Sequence, residues 1–301
     1  MAKLGEELPT GPGDGALPSV PRRQPTLITS SAVVDRASAE IGVIGGSGLY
    51  ALLDDALEVE VDTPFGRPSD RVTVGLVGDR AVAFLPRHGR DHRLPPHRIP
   101  YRANLWALRS LGVRQVIAPC AVGGLHAELG PGTFVVPDQL IDRTTGRVQT
   151  FFDDGAVHVP FADPYCPAGR RIVLAEAAAL GIEAVDGGTM VVIEGPRFST
   201  RAESTWYAAH GWSMVNMTGH PEAALARELA LCFTAIALVT DLDAGVDEGD
   251  TVTQEEVFRV FAENTERMRN LVLRTSATLD LDRHCPCPNA LDGIRLPIEL
   301  P

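Results

Sequence analysis

The chain has 301 residues, 45% apolar and 22% charged, with a formal net charge of −12. This is a globular composition, and the acidic balance excludes a broad nucleic-acid surface, which needs a basic face to neutralise phosphates. No apolar run approaches the ~20 residues that a membrane span requires.

Residues 1–38 are rich in Pro and Gly, mix both signs of charge and lack hydrophobic periodicity, which predicts a disordered tail. They contain no apolar signal core, so the expectation is a cytoplasmic protein. From residue 41 the elements alternate. IGVIGG reads as a short apolar strand that breaks into glycines, and LEVEVDT and RVTVGLV alternate like half-buried strands. RAVAFLPR is a strand ending in charge, and RANLWALRSLG an amphipathic helix with a glycine stop. QVIAPCAVGG and TFVVPDQLID read as strands, RRIVLAEAAALG as a helix, and TMVVIEGPRF and SMVNMTG as strands. The helix PEAALARELALC, the strand TAIALVT and the long helix TQEEVFRVFAENTERMRNLVLRTSATL complete the order. Nearly continuous apolar strands alternating with helices predict an α/β fold, a twisted mixed sheet covered on both faces. No linker interrupts 40–281, so residues 39–301 are expected to form one domain.

Strand after strand exits into residues with chemistry, where open α/β sheets bind ligands. IGVIGG leads to Ser47, VAFLPRH to Arg87 and His88, and VIAPCAVGG to Cys120 and Ala121. VVIEGPRFS brings Glu194, Arg197, Phe198 and Ser199, and MVNMTG brings Asn216, Met217 and Thr218. LVTDLDAG ends the series with Asp241 and Asp243, two apart and therefore on one face of extended backbone. Gly45-Gly46-Ser47-Gly48 can turn sharply and offer N–H groups and a hydroxyl to an anion. It also fits G-x-G-x-x-A loosely, but LYALLDDA is short for the helix of a dinucleotide unit. Arg87 supplies a permanent charge and a planar fork of donors, so Arg87 and His88 read as phosphate ligands. No nucleophile elbow or HExxH zinc motif is present. Such a site suits a displacement between bound phosphate and a nucleoside-like partner. Cysteines 120, 166, 232, 285 and 287 do not read as a paired set, and HCPCP, with too few ligands beside it, reads as a loop, not a metal site.

IGVIGGSGLY, DTPFGRPSD, PRHGRDH, PYRANLWALRSLG, DQLIDRTTGR, DPYCP, GTMVVIEGPRFSTRAE, NMTGHPEAALARE and TDLDAG, in this order, resemble the S-methyl-5′-thioadenosine phosphorylases. These are a branch of the trimeric purine nucleoside phosphorylase superfamily, and the resemblance spans roughly residues 41–275. It implies the single-domain nucleoside phosphorylase fold and cleavage of a purine nucleoside by inorganic phosphate, with no metal or organic cofactor. It also implies a homotrimer. Carried over, Ser47, Arg87, His88, Cys120, Ala121 and Thr218 surround phosphate. Phe198, Ser199, Asn216, Met217 and Val257 lie along the nucleoside, with Asp241 and Asp243 as the catalytic carboxylates at the purine. His158 reaches into the next subunit's site. Two departures stand out: Cys120 replaces a hydroxyl ligand, and Gln254 is polar where the family favours small apolar residues around the 5′ group. A carboxyl buried beside a second carboxylate has a raised pKa, so Asp241 is expected to hold a proton near neutrality and share it with purine N7. A 6-oxopurine or methylthioinosine phosphorylase, a nucleoside sensor and an NAD oxidoreductase are the alternatives.

Overall fold

The computed structural model describes residues 38–46, 49, 53, 56–244, 246 and 252–301. The predicted tail up to residue 37, Ser47, Gly48 and most of LYALLDDA therefore lie outside the described residues.

Eleven strands join in one mixed sheet among these residues. β1 (Ile41–Gly45) runs parallel between β4 (Arg80–Pro86) and the first half of β5 (Gln115–Gly124). Beyond β4, the antiparallel strands β3 (Val72–Val77) and β2 (Leu57–Val59) complete that edge. β5 pairs along its length with β11 (Cys232–Leu242), and its last residues take a new antiparallel neighbour, β10 (Met214–Asn216). From β10 the sheet continues through β9 (Thr189–Ile193) to β7 (Gln139–Arg143). A second branch leaves β11 through β6 (Phe134–Val136) to β8 (Ala184–Asp186).

Strand alternation assigns the helices. Val116, Ala118, Phe233 and Ala235 face α1 (Tyr101–Ser110) and α4 (Gly219–Glu228), against Leu105, Leu108 and Leu225. Ile117, Ile236 and Leu238 face the other way, onto Val173 of α2 (Pro167–Ala179) and Leu271 of α5 (Gln254–Thr278). Burial on both faces is why these strands read as unbroken apolar runs.

The structure departs from the sequence reading in four places. TFVVPDQLID makes two strands, β6 and β7, which serve different branches of the sheet. Cys120 and Ala121 lie inside β5, not at its exit. α3 (Arg201–Ala209), not predicted as a helix, starts at a complete capping box in which Thr200 and Glu203 each bond the other's backbone N–H. Cys285 and Cys287 do lie in a loop and a short 3₁₀ turn, but their sulfurs meet those of Cys166 and Cys232, all within 4.8 Å. The missing partners come from other elements, Cys232 being 53 residues before Cys285.

Candidate active site

A cavity of about 380 Å³ opens where β5, β9, β10 and β11 end. Its size falls in the range of small-molecule sites. Arg87, His88, Cys120, Ala121 and Thr218 line it on one side, and Asp241, Asp243, Phe198 and Ser199 also line it. Met217 and Asn216 belong to the same wall as Thr218, while Gln254, Val257 and Phe258 bring α5 to the cavity. The cavity thus gathers residues from several strand exits, with Cys120 and Ala121 from within β5 and Val257 from α5, while Glu194 and Arg197 stay outside its lining. His158 does not join the cavity either; it is exposed, outside the lining.

Arg87 anchors one side of the cavity. Its Nε and Nη2 donate to the two oxygens of Glu222 at 2.6 and 3.0 Å, and Nη1 donates to the Pro119 carbonyl at 2.9 Å. Both side chains are almost fully buried. Burial works against the Arg87 charge, but the Glu222 carboxylate outweighs it and raises the guanidinium pKa. A bidentate partner in low dielectric keeps the pair ionised. Two of Arg87's five N–H donors remain for a ligand.

His88 behaves differently. Burial, then the neighbouring His92 and Arg87, push its pKa down to about 3, so the ring is neutral. Nδ1 lies 2.9 Å from the Leu94 carbonyl and must donate to it, which leaves Nε2 as an acceptor. The imidazole therefore suits a protonated oxygen of an anion. The Cys120 thiol, pushed up to about 12 chiefly by burial, is also neutral.

Asn216, expected along the nucleoside, has a different task. Its Nδ2 donates to the Ala121 carbonyl at 3.0 Å, and its Oδ1 accepts from the N–H groups of Thr218 and Gly219 at 2.7 Å each. The amide braces β5 against β10, and its polar atoms are taken up by backbone. Thr218 opens α4 without its hydroxyl capping the helix; the hydroxyl donates to Asn216 Oδ1 at 3.4 Å, which leaves its lone pairs to accept from a ligand.

The acids owe their position to a bulge. The β5–β11 register slips between Val239 and Asp241. Unbroken alternation would send Asp241 after Ala237 and Val239 into an apolar cluster. One extra residue, Thr240, reverses the phase and turns Asp241 into the cavity. Thr240 Oγ1 donates to Asp241 Oδ2 at 2.8 Å. Burial, opposed by that bond and helped by Asp243, raises the Asp241 pKa to about 6. Burial also raises Asp243, against the hydroxyls of Ser199 and Ser204. Gly123 makes room: a Cβ there would stand 3.0 Å from Asp241 Oδ1 and 3.3 Å from Asp243 Cβ.

Glu222 and Arg147 carry roles that the sequence did not suggest. Arg147, from an exposed-looking loop, donates to the carbonyls of Ile193, Glu194, Met217 and His220 and to the Tyr101 hydroxyl. It ties the exits of β9 and β10 together beneath the cavity. Neither residue sits at a strand exit, so the pattern that revealed the others could not reveal them. His92, stacked on His88 with centroids 4.1 Å apart, belongs to the lining as well.

Residues 40–277 match the family model described as the phosphorylase superfamily. The chain is 60% identical over 280 residues to a purine nucleoside phosphorylase of Streptomyces coelicolor, across 89% of this chain and 100% of that protein. It is 58% identical over 263 residues to an S-methyl-5′-thioadenosine phosphorylase of Mycolicibacterium smegmatis, across 87% and 99% of the two. A methylthioadenosine phosphorylase sourced from an antarctic soil metagenomic library superposes with a TM-score of 0.80 at 40% identity, covering 85% of this chain and 92% of that one.

The buried pair has a measurable signature. Glu222→Gln should lower stability by about 3–5 kcal/mol in denaturant unfolding, because it strands a buried guanidinium. An Arg87→Met/Glu222→Met double variant should recover most of that loss. A single variant as stable as wild type would mean that the pair does not hold this wall.

Proposed function

We propose that this chain, which belongs to the phosphorylase superfamily and is a nucleoside phosphorylase, cleaves S-methyl-5′-thioadenosine with inorganic phosphate to adenine and 5-methylthioribose 1-phosphate. The observation that carries this reading is Asp241, a carboxyl with a pKa near 6 in a cavity shared with Arg87. Adenine offers an acceptor at N7 and an amino donor at C6. A protonated Asp241 donates to N7, and Asp243 Oδ2, buried without a hydrogen-bond partner, stands ready as an acceptor.

In this mechanism the C1′–N9 bond breaks as phosphate oxygen attacks C1′. The bonding pair moves onto the purine, and the Asp241 proton meets it at N7. The donor therefore acts most strongly in the transition state, where it accelerates the reaction. Phosphate is held by Arg87, Thr218 and the backbone near Ala121, with its own P–OH donated to His88 Nε2. Cys120 adds a neutral thiol, and Ser47 completes the set. Met217 and Phe198 line the ribose and base, and Val257 the 5′ substituent. Phosphate is a co-substrate, and no metal or organic cofactor takes part.

Gln254 in the lining and the close relative named purine nucleoside phosphorylase favour a second reading, a broader enzyme that also accepts adenosine. Free base should be measured from methylthioadenosine, adenosine, methylthioinosine and inosine, each with and without phosphate. Methylthioadenosine should lead and adenosine follow, with no turnover in the absence of phosphate. Asp241→Asn, which offers a fixed amide donor, should move kcat/KM toward the 6-oxopurines. Such polar readout discriminates by up to about 10⁴. A wild type that prefers inosine or methylthioinosine would remove the pair, Asp241 at N7 and Asp243 at the 6-amino group, as the reader of adenine.

The pH profile gives an independent check. Protonated Asp241 is the active form, so kcat/KM for methylthioadenosine at saturating phosphate should fall as pH rises through about 6. Each pH unit beyond it should cost about tenfold. Asp241→Asn should flatten that limb, and a limb unchanged in the variant would assign it to another group.

We also infer a homotrimer, in which His158 completes a neighbour's cavity. The support is its exposed position outside its own chain's lining. Activity should fall with dissociation when sedimentation and assay are run over the same dilution series. A fully active monomer would sink the shared site.

A further inference from the structure

Far from the cavity lining, four cysteines from three parts of the chain meet at one point. Cys166 is the N-cap of α2, Cys232 is the first residue of β11, and Cys285 and Cys287 belong to the C-terminal segment. Their sulfurs all lie within 4.8 Å of one another, and Cys232 Sγ is 3.4 Å from Cys285 Sγ. No pair is bonded as a disulfide. In a tetrahedral zinc–thiolate site, bonds of about 2.3 Å set the sulfurs about 3.8 Å apart. The separations bracket that value, so small shifts reach the geometry: the wider pairs close slightly and the Cys232–Cys285 pair opens slightly. Pro286 holds a helical backbone angle and Cys287 opens a 3₁₀ turn, so the C-x-C spacing folds both sulfurs to one centre.

We propose that Cys166, Cys232, Cys285 and Cys287 bind a single structural Zn²⁺ as a four-thiolate site. Four soft sulfur ligands select zinc over oxygen-loving cations. Three of the four residues are buried and only Cys285 is partly accessible, as befits a closed site with no position left for water or substrate. Four thiolates around a divalent ion carry a net charge of −2. The Gly169 N–H, in the first turn of α2, lies 3.4 Å from Cys166 Sγ and offsets part of it. The metal would pin the C-terminal segment, whose Leu296, Ile298 and Leu300 pack on the core beside α1 and α4, to the start of the strand that carries Asp241. None of the four ligands lines the cavity, so the ion has no part in phosphorolysis.

The test uses full-length protein alkylated at lysis for thiol mapping, and a parallel sample purified under reductant for metal analysis. Mass spectrometry should find the wild type with about one zinc per chain. Cobalt(II) exchanged into it should show the intense visible bands of a tetrahedral thiolate centre. Cys285→Ser/Cys287→Ser should lose zinc at least roughly tenfold and unfold at lower temperature. The partly exposed Cys285→Ser alone, the variant least able to disturb packing, should weaken zinc retention against a chelator. Reduced wild type that takes up neither zinc nor cobalt overturns the proposal. So does thiol mapping that finds these cysteines joined as disulfides in the cell.

Discussion

The ion pair between Arg87 and Glu222 is the interaction around which this molecule is arranged. It joins the end of β4 to α4, and through the Pro119 carbonyl it joins both to β5. Burying two charges costs several kcal/mol per ion, recovered only when the geometry is close to ideal. Here two parallel bonds and a third to backbone meet that condition. The result is a guanidinium with one edge fixed and the other turned to the cavity, so that a bound anion need not order it.

The opposite wall is built from strain of another kind. Raising Asp241 from 3.8 to about 6 means that keeping it ionised at neutral pH costs about 3 kcal/mol. The fold tolerates this because β11 is buried along most of its length and laddered to β5 on one side and β6 on the other. Arg147 makes a similar contribution below the cavity floor, where loop carbonyls would otherwise stay unpaired. One long cation satisfies four of them from the side.

Much of this was legible in the chain. QVIAPCAVGG matches β5 residue for residue, because a strand buried on both faces leaves an unbroken apolar run. The chemistry-bearing exits led to Arg87, Thr218, Asp241 and Asp243, since polar residues directly after such runs have few bland explanations. What stayed hidden depended on partners distant in sequence. Glu222 looks like any acid in the first turn of an amphipathic helix until Arg87 is placed against it. β8 is three residues long with one end polar, too short for alternation to declare itself. The Thr240 bulge leaves no mark on composition, yet it decides which way the neighbouring acid points. Asn216 was visible as a polar strand end, but only the fold shows that its amide is spent on backbone.

The ladder between β5 and β11 has a consequence for how such a protein can change. Cys120, Ala121 and Gly123 on one strand face Ala237, Leu238 and Asp241 on the other, residue by residue. Hydrogen-bonded neighbours sit about 4.8 Å apart whatever their side chains are. The spacing between the β5 wall and the acid-bearing β11 wall is thus a lattice constant of the sheet, indifferent to point substitution. The mouth contributed by α5, with Gln254, Val257 and Phe258, has no such ruler. Variation in ligand shape is confined to that end, as a key's bow can be recut while the spacing of its wards is set by the lock.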